Sequence, residues 1–243
     1  MFAAVPLSHI PLPGVSNPII VVRVEGIVEE LAVEVVPARG LDRVVFSATV
    51  ARLVTEFKKH LEREIGLEFR VICSGISDYD ALAYIHTTNE ILRTLISRLD
   101  EGAIQIAYSI DRELGVQDYV SALRLIDLLD THYAWRWGEP PVELERKLAF
   151  RVRAIRRISE FKTPFLEIDR EAIIHIAGKS SIHLARAIMN GDIEEVVKSV
   201  EFTNGLWHSI YGLKIPCGEG ISTYIPGLDG VYCVEMELNP KTA

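Results

Sequence analysis

The 243 residues hold only three cysteines, Cys73, Cys217 and Cys233, an odd number with no CxxC and no Cys/His spacing. Neither a disulfide framework nor a zinc site is expected from that pattern, and a reducing compartment fits it best. Long apolar runs are missing as well. The segment Met1-Phe-Ala-Ala-Val-Pro6 lacks a basic stretch, and Pro6, Pro11, Pro13 and Pro18 interrupt any run that would span a bilayer. On these grounds the chain reads as cytoplasmic, with no membrane partner. Net positive charge is also absent, the formal charge being −8, which excludes a sequence-independent nucleic-acid binder because such a surface must displace counterions from phosphates. The one basic cluster, Arg146-Lys147 with Arg151, Arg153, Arg156 and Arg157, reads as a solvated face.

Intact catalytic signatures are lacking too. Ser74, Ser77 and Cys73 have no GxSxG context, and the seven histidines show no HExxH or other ligand spacing. Ala177-Gly-Lys-Ser-Ser181 resembles the tail of a Walker A loop, but Ile173 stands where that motif needs glycine. No repeat and no low-complexity tract occurs.

What is present is an ordinary globular composition, 49% hydrophobic and 25% charged, long enough for one large domain or two compact ones without a metal or disulfide staple. Residues 19–36, rich in Val and Ile and divided by Gly26, predict two strands joined as a hairpin. From Ala48 to Ile65 the apolar residues recur at three and four, Ser47 supplies an N-cap and Gly66 a stop, which predicts an amphipathic helix. Residues 67–73 then alternate like a half-buried strand, 74–77 read as a turn, and Ser77-Asp78-Tyr79-Asp80 reads as the capping box of a second helix that ends near Gly102. Two further helices are expected over 103–114 and 118–129, and a strand over Tyr133–Trp137. The segment 147–154 satisfies both periods, and strand is preferred. A composition break at 159–163 marks a domain boundary, followed by a strand at 165–168 and a helix from Asp169 that Gly178 threatens to break. Asp192 caps a last helix, interrupted at Asn204-Gly205. Glycine-punctuated turns from Gly218 to Gly230 lead to a final strand.

Chemistry is most concentrated at residues 70–85, where a strand and glycine turn feed a helix N-terminus and so aim backbone N–H groups at an anion. Asp78 and Asp80 place negative charge at the same spot. Asp118 is the most informative carboxylate; it begins a helix, and its structural reading is an N-cap.

Taken in order, these segments resemble the GHMP small-molecule kinase superfamily of galactokinase, homoserine kinase, mevalonate kinase and phosphomevalonate kinase. Strand 67–73, turn 74–77 and the following helix sit where that family keeps its phosphate loop, and Glu113-Leu-Gly-Val-Gln-Asp118 is similar to its acidic–glycine–Asp segment. Asn204-Gly205-Leu206 and Tyr211–Pro216 resemble its second domain, and Gly218–Gly230 falls where its third motif lies. Departures accompany these matches. The loop pattern PxxxGLGSSAA is replaced by Cys73-Ser-Gly-Ile-Ser-Asp-Tyr-Asp-Ala-Leu-Ala83, and no lysine precedes Lys58, Ser8-His9 standing near the first strand instead.

The resemblance implies an α+β fold of two domains, a mixed α/β domain over 1–160 and a ferredoxin-like domain over 161–243. It implies Ser74, Gly75 and Ser77 as phosphate-binding residues, Gly218, Gly220, Gly227 and Gly230 as the C-terminal glycine loop, and Asp118 as catalytic base. The expected partner is a small phosphorylated metabolite or nucleotide in the interdomain cleft, with ATP and magnesium as the cofactor of a phosphotransferase. The alternatives are a GHMP-fold binding or assembly module that does not bind ATP, and an unrelated α+β enzyme. Whether the chain is catalytic, and whether it forms a homo-oligomer, stay open at this stage.

Overall fold

The computed structural model describes residues 3–12, 17–96, 99–145, 147–160, 170–214 and 216–240. The strand expected at 165–168, Asp169 and Arg146 lie outside them. In chain order the elements are β1 (Ala3–Leu7), β2 (Ile19–Glu25), β3 (Glu29–Pro37), β4 (Arg43–Val45), α1 (Ala48–Ile65), β5 (Phe69–Ser77), α2 (Asp80–Ile96) and α3 (Glu101–Glu113). There follow the one-turn α4 (Asp118–Ser121), a 3-10 helix (Ala122–Asp127), β6 (His132–Trp135), β7 (Val142–Leu144), β8 (Leu148–Glu160), α5 (Arg170–Asn190), α6 (Ile193–Tyr211), β9 (Ile221–Pro226) and β10 (Gly230–Pro240).

Among the described residues two sheets organise this α+β fold. Seven strands form the larger, in the order β7-β6-β2-β8-β10-β9 with β1 paired to β2, and three form the smaller, β3-β5-β4. The larger sheet draws strands from both sides of residue 160. The hairpin expected over residues 19–36 does not form: β2 pairs with β1, β6 and β8, whereas β3 pairs with β5 in the other sheet. Burial separates the two strands. β2 is buried at every position but its last, so it belongs in the middle of a covered sheet, while β3 alternates. Gly26 makes the crossing between sheets: its φ is +90°, and a Cβ there would lie 2.2 Å from the Val152 carbonyl oxygen of β8.

α1 forms over the expected residues; Ser47 Oγ accepts from the Val50 N–H, Gly66 ends the helix in the left-handed region, and Val50, Leu53, Val54, Phe57 and Leu61 are buried. α5 and α6 both run unbroken through Gly178 and Asn204-Gly205, packed against each other, with α5 on β2 and α6 on β9 and β10. The ambiguous segment at 147–154 is strand. The expected helix over 118–129 is a single α-turn followed by the 3-10 helix, which packs on β1 and β2 on one side and on α2 on the other.

Three basic residues of β8 meet acids of β10 and the turn before it, Arg153 with Glu237, Arg156 with Glu235 and Arg157 with Asp229. A buried ionic cluster joins the 3-10 helix to α3 and α2. Arg124 sends Nε to Asp111 Oδ2 and Nη2 to Asp111 Oδ1, both at 2.6 Å, and its Nη1 reaches Thr88 and Asn89.

Cysteine pairing corrects the sequence reading. Cys217 and Cys233 form a disulfide with their Cα atoms 5.7 Å apart, because the ladder and the strap before β9 bring them together across sixteen residues. A disulfide of this kind is atypical of the reducing compartment expected from cysteine spacing. Cys73 stays buried and free, its thiol pushed up to about 12 chiefly by burial. Among the described residues no helix is long and apolar enough to cross a membrane.

Candidate functional site

The end of β5, the start of α2 and the turn between β9 and β10 converge on one small cavity of about 270 Å³. β5 does not turn at residue 74. It continues to Ser77, paired antiparallel with β3 residue for residue from Phe69↔Pro37 to Ser77↔Glu29. The expected turn at 74–77 is therefore extended strand, and Ser-Gly-Ile-Ser simply continues the alternation of the residues before it. Gly75 is required by close approach rather than by a turn, since a Cβ there would sit 2.5 Å from the Glu30 carbonyl oxygen and 3.0 Å from the Phe46 ring. The capping box does not form either. Ser77 Oγ accepts from the Tyr79 N–H at 3.2 Å, but the Asp80 carboxylate turns away and accepts the Leu228 N–H at 3.0 Å.

That bond joins residues 148 apart and pins the β9–β10 turn against α2. The turn itself is tight, with the Gly227 N–H donating to the Gly230 carbonyl at 2.7 Å. Two buried tyrosines hold it from beneath, Tyr79 donating to the Pro226 carbonyl and Tyr119 to the Gly227 carbonyl, each at 2.6 Å. Gly227 is obligatory at this point, as a Cβ would meet the Tyr232 ring at 2.4 Å and Asp80 Oδ1 at 2.6 Å. At the tip of the turn Asp229 accepts from Thr49 Oγ1 at 3.1 Å and pairs with Arg157 at 3.3 Å.

Asp80 and Asp229 thus both line the same cavity as neighbours. Burial pushes the Asp80 carboxyl up to about 6, the Leu228 N–H opposes the shift, and the neighbouring Asp229 adds to it. The hydroxyl of Tyr232, itself raised above its usual range mainly by burial, belongs to a residue that lines the same cavity. Near neutral pH Asp80 sits close to its own titration. Such a constellation offers hydrogen-bond acceptors and an exchangeable proton, with Arg157 the single cation on the wall among the described residues. Among the described residues no group of three or more His, Cys, Asp and Glu side chains is arranged to hold a metal ion.

Of the residues expected from sequence, Gly75 and Ser77 line this cavity, whereas Ser74 is exposed and lines shallower depressions on the outer face of the small sheet. Gly227 and Gly230 flank the turn; Gly218 and Gly220 precede β9, and the Gly218 N–H donates to Ser222 Oγ. Asp118 is the first residue of α4, half-buried, and the capping position belongs to Gln117 without a side-chain bond. Asp118 does not line the cavity, although its neighbour Tyr119 reaches the glycine turn. Asp229, Arg157, Thr49 and Tyr232 were not singled out as site residues by sequence. They come from three distant segments, and only a short turn closed by two glycines hinted at one of them.

No protein-family model matches the chain, and no curated protein matches it in sequence. Solved structures do. Homoserine kinase from Cytophaga hutchinsonii superposes with a TM-score of 0.59 at 10% identity over 99% of this chain and 84% of its own. Mevalonate pyrophosphate decarboxylase from Streptococcus pyogenes gives 0.57 at 10% identity, over 93% of this chain and 81% of its own. Mevalonate diphosphate decarboxylase from Legionella pneumophila gives 0.55 at 11% identity, over 99% and 92%. The chain therefore shares the fold of these homoserine kinase and decarboxylase structures, members of the superfamily that the order of segments in the sequence resembles. At these identities the likeness carries the architecture and not the activity.

Proposed function

We propose that this chain is a GHMP-fold, small-ligand-binding protein which takes a compact polyhydroxylated molecule and does not bind ATP. One observation carries this reading: the carboxyls of Asp80 and Asp229 stand together at the start of α2, where a phosphate loop would direct its N–H groups at an anion. The Leu228 N–H is already engaged by Asp80, and β5 remains paired to β3 through Ser77, so few backbone donors face the cavity. Two neighbouring acids on the wall of one cavity repel a triphosphate but accept from hydroxyl groups. A volume of about 270 Å³ suits a ligand of that size better than a nucleotide. Thermal unfolding tests it. Millimolar ATP with magnesium is expected to leave the Tm unchanged, while cyclic and linear polyols are screened for one that raises it and loses that effect in Asp229→Asn. A clear upward shift with ATP and magnesium would overturn the reading.

The second reading, an ATP-dependent phosphotransferase with Asp118 as general base, is favoured by one contact, the bond from Tyr119 to the glycine turn. On that reading Asp118→Asn changes stability by less than about 1 kcal/mol and lowers turnover by about 10²-fold. Unchanged turnover in this variant would leave Asp118 a helix-start residue.

A further inference from the structure

A second and larger cavity, about 770 Å³, shares no residue with the Asp80–Asp229 site. One wall is a single stripe of α3, where Glu101, Ile104, Gln105, Tyr108, Ser109 and Arg112 recur at three and four. The facing wall is Trp135 and Trp137 with the turn 138–141 that follows β6, and Leu125, Leu128 and Leu129 form the floor.

The aromatic side chains are packed edge to face, Trp135 and Trp137 at 5.7 Å and 87°, Tyr108 and Trp137 at 5.7 Å and 60°. Trp135 and Tyr108 are buried behind, so the half-buried Trp137 presents its ring to the groove. Charge differs between the two ends. Asp100 and Glu101 stand at the start of α3 and Arg112 eleven residues beyond Glu101, a separation of about 17 Å along the helix. Among the described residues the side chains of Glu101, Gln105, Ser109 and Arg112 make no hydrogen bond or ion pair.

We infer that this groove binds an extended, proline-containing peptide segment of a partner protein, with a basic residue at the Asp100–Glu101 end and a carboxylate at Arg112. Aromatic-lined grooves suit a polyproline II strand because it is rigid before binding, and at about 3.1 Å per residue a groove of this length takes five or six residues. The opposed charges at the ends fix the direction in which the strand lies. The inference is independent of what the smaller cavity binds.

The probe is a synthetic heptapeptide, Lys-Pro-Pro-Leu-Pro-Pro-Glu, titrated into the full chain while tryptophan emission is followed. Trp207 is fully buried in a different cluster, so a change reports Trp135 and Trp137. Saturable binding is expected, weakened about tenfold or more by Trp137→Ala and by Arg112→Glu at an exposed position. A peptide ending in lysine instead of glutamate should then bind Arg112→Glu better than it binds the parent chain. The same peptide with glycine at every proline should bind at least about tenfold more weakly, having strand entropy to lose. No saturable change up to millimolar peptide, indifference to both substitutions, or equal affinity for the glycine peptide each overturns the inference.

Discussion

Arg124→Met should lower the unfolding free energy by about 3–5 kcal/mol. Arg124 and Asp111 are wholly buried and bidentate at 2.6 Å. The remaining donors and acceptors are all engaged: Tyr84 and Ser121 donate to Asp111, Thr88 and Asn89 accept from Arg124, and the guanidinium lies over the rings of Phe57 and Tyr84 at 5.0 and 5.4 Å. Burial works against the charge on Arg124, and Asp111 overrides it, holding the guanidinium protonated. Methionine fills much of the space but strands the Asp111 carboxylate in an apolar interior. That stranded charge, more than the lost attraction, is the cost. The double variant Arg124→Met with Asp111→Asn should therefore recover a substantial part of the loss. Urea unfolding with an unchanged m-value measures both; a single-variant loss below about 1 kcal/mol would mean that water reaches the site.

Asp80→Asn should act in the opposite sense, raising stability at pH 7.5 by up to about 3 kcal/mol and by nothing at pH 4. In the folded chain burial holds the Asp80 proton up to about pH 6, against 3.8 for an ordinary aspartate. Between those values the folded state binds more protons than the unfolded one, so the contribution of Asp80 falls as pH rises through that window and stays low above it. Asparagine does not ionise, yet its carbonyl still accepts the Leu228 N–H. His9 slopes the other way in both chains: burial lowers it from 6.5 to about 3, so stability that depends on neutral His9 is lost as pH falls from 6.5. Because His9 is common to both proteins, the difference between them isolates Asp80. A stability difference that does not change between pH 4 and 7.5 would rule out the raised carboxyl.

The periodic elements were legible. α1 announced itself through Ser47, Gly66 and an apolar stripe, and β8 through alternation of Leu148, Phe150 and Val152. Two kinds of feature were not. Local ambiguity hid the length of β5, because Ser-Gly-Ile-Ser is also turn chemistry and only its pairing with β3 decides the matter. Non-local convergence hid the rest. Asp80 meets Asp229, Arg124 meets Asp111 and Cys217 meets Cys233 through tertiary packing, and none of these pairs leaves a spacing signal in one sequence. Of the candidate site, the two flanks were readable as a strand-to-helix junction and a glycine turn, but the chemistry between them was not: of the two aspartates expected to repel a phosphate, Asp80 lines the cavity beside Asp229, while Asp78 accepts the Val28 N–H instead.

The disulfide encloses the stretch from Gly218 to Tyr232, which carries all of β9 and the turn that presents Asp229. Closing a loop of this length removes about 3 kcal/mol of chain entropy from the open forms of that stretch. Cys73, buried as an un-ionised thiol, offers no competing partner. The shape of the acidic pocket is thereby coupled to electron supply in the surroundings: under oxidising conditions the clasp is preassembled, and under reducing ones its order rests on the ladders of β10 with β8 and β9 and on contacts that include the hydrogen bonds to Tyr79, Asp80, Thr49 and Tyr119 and the ion pair with Arg157.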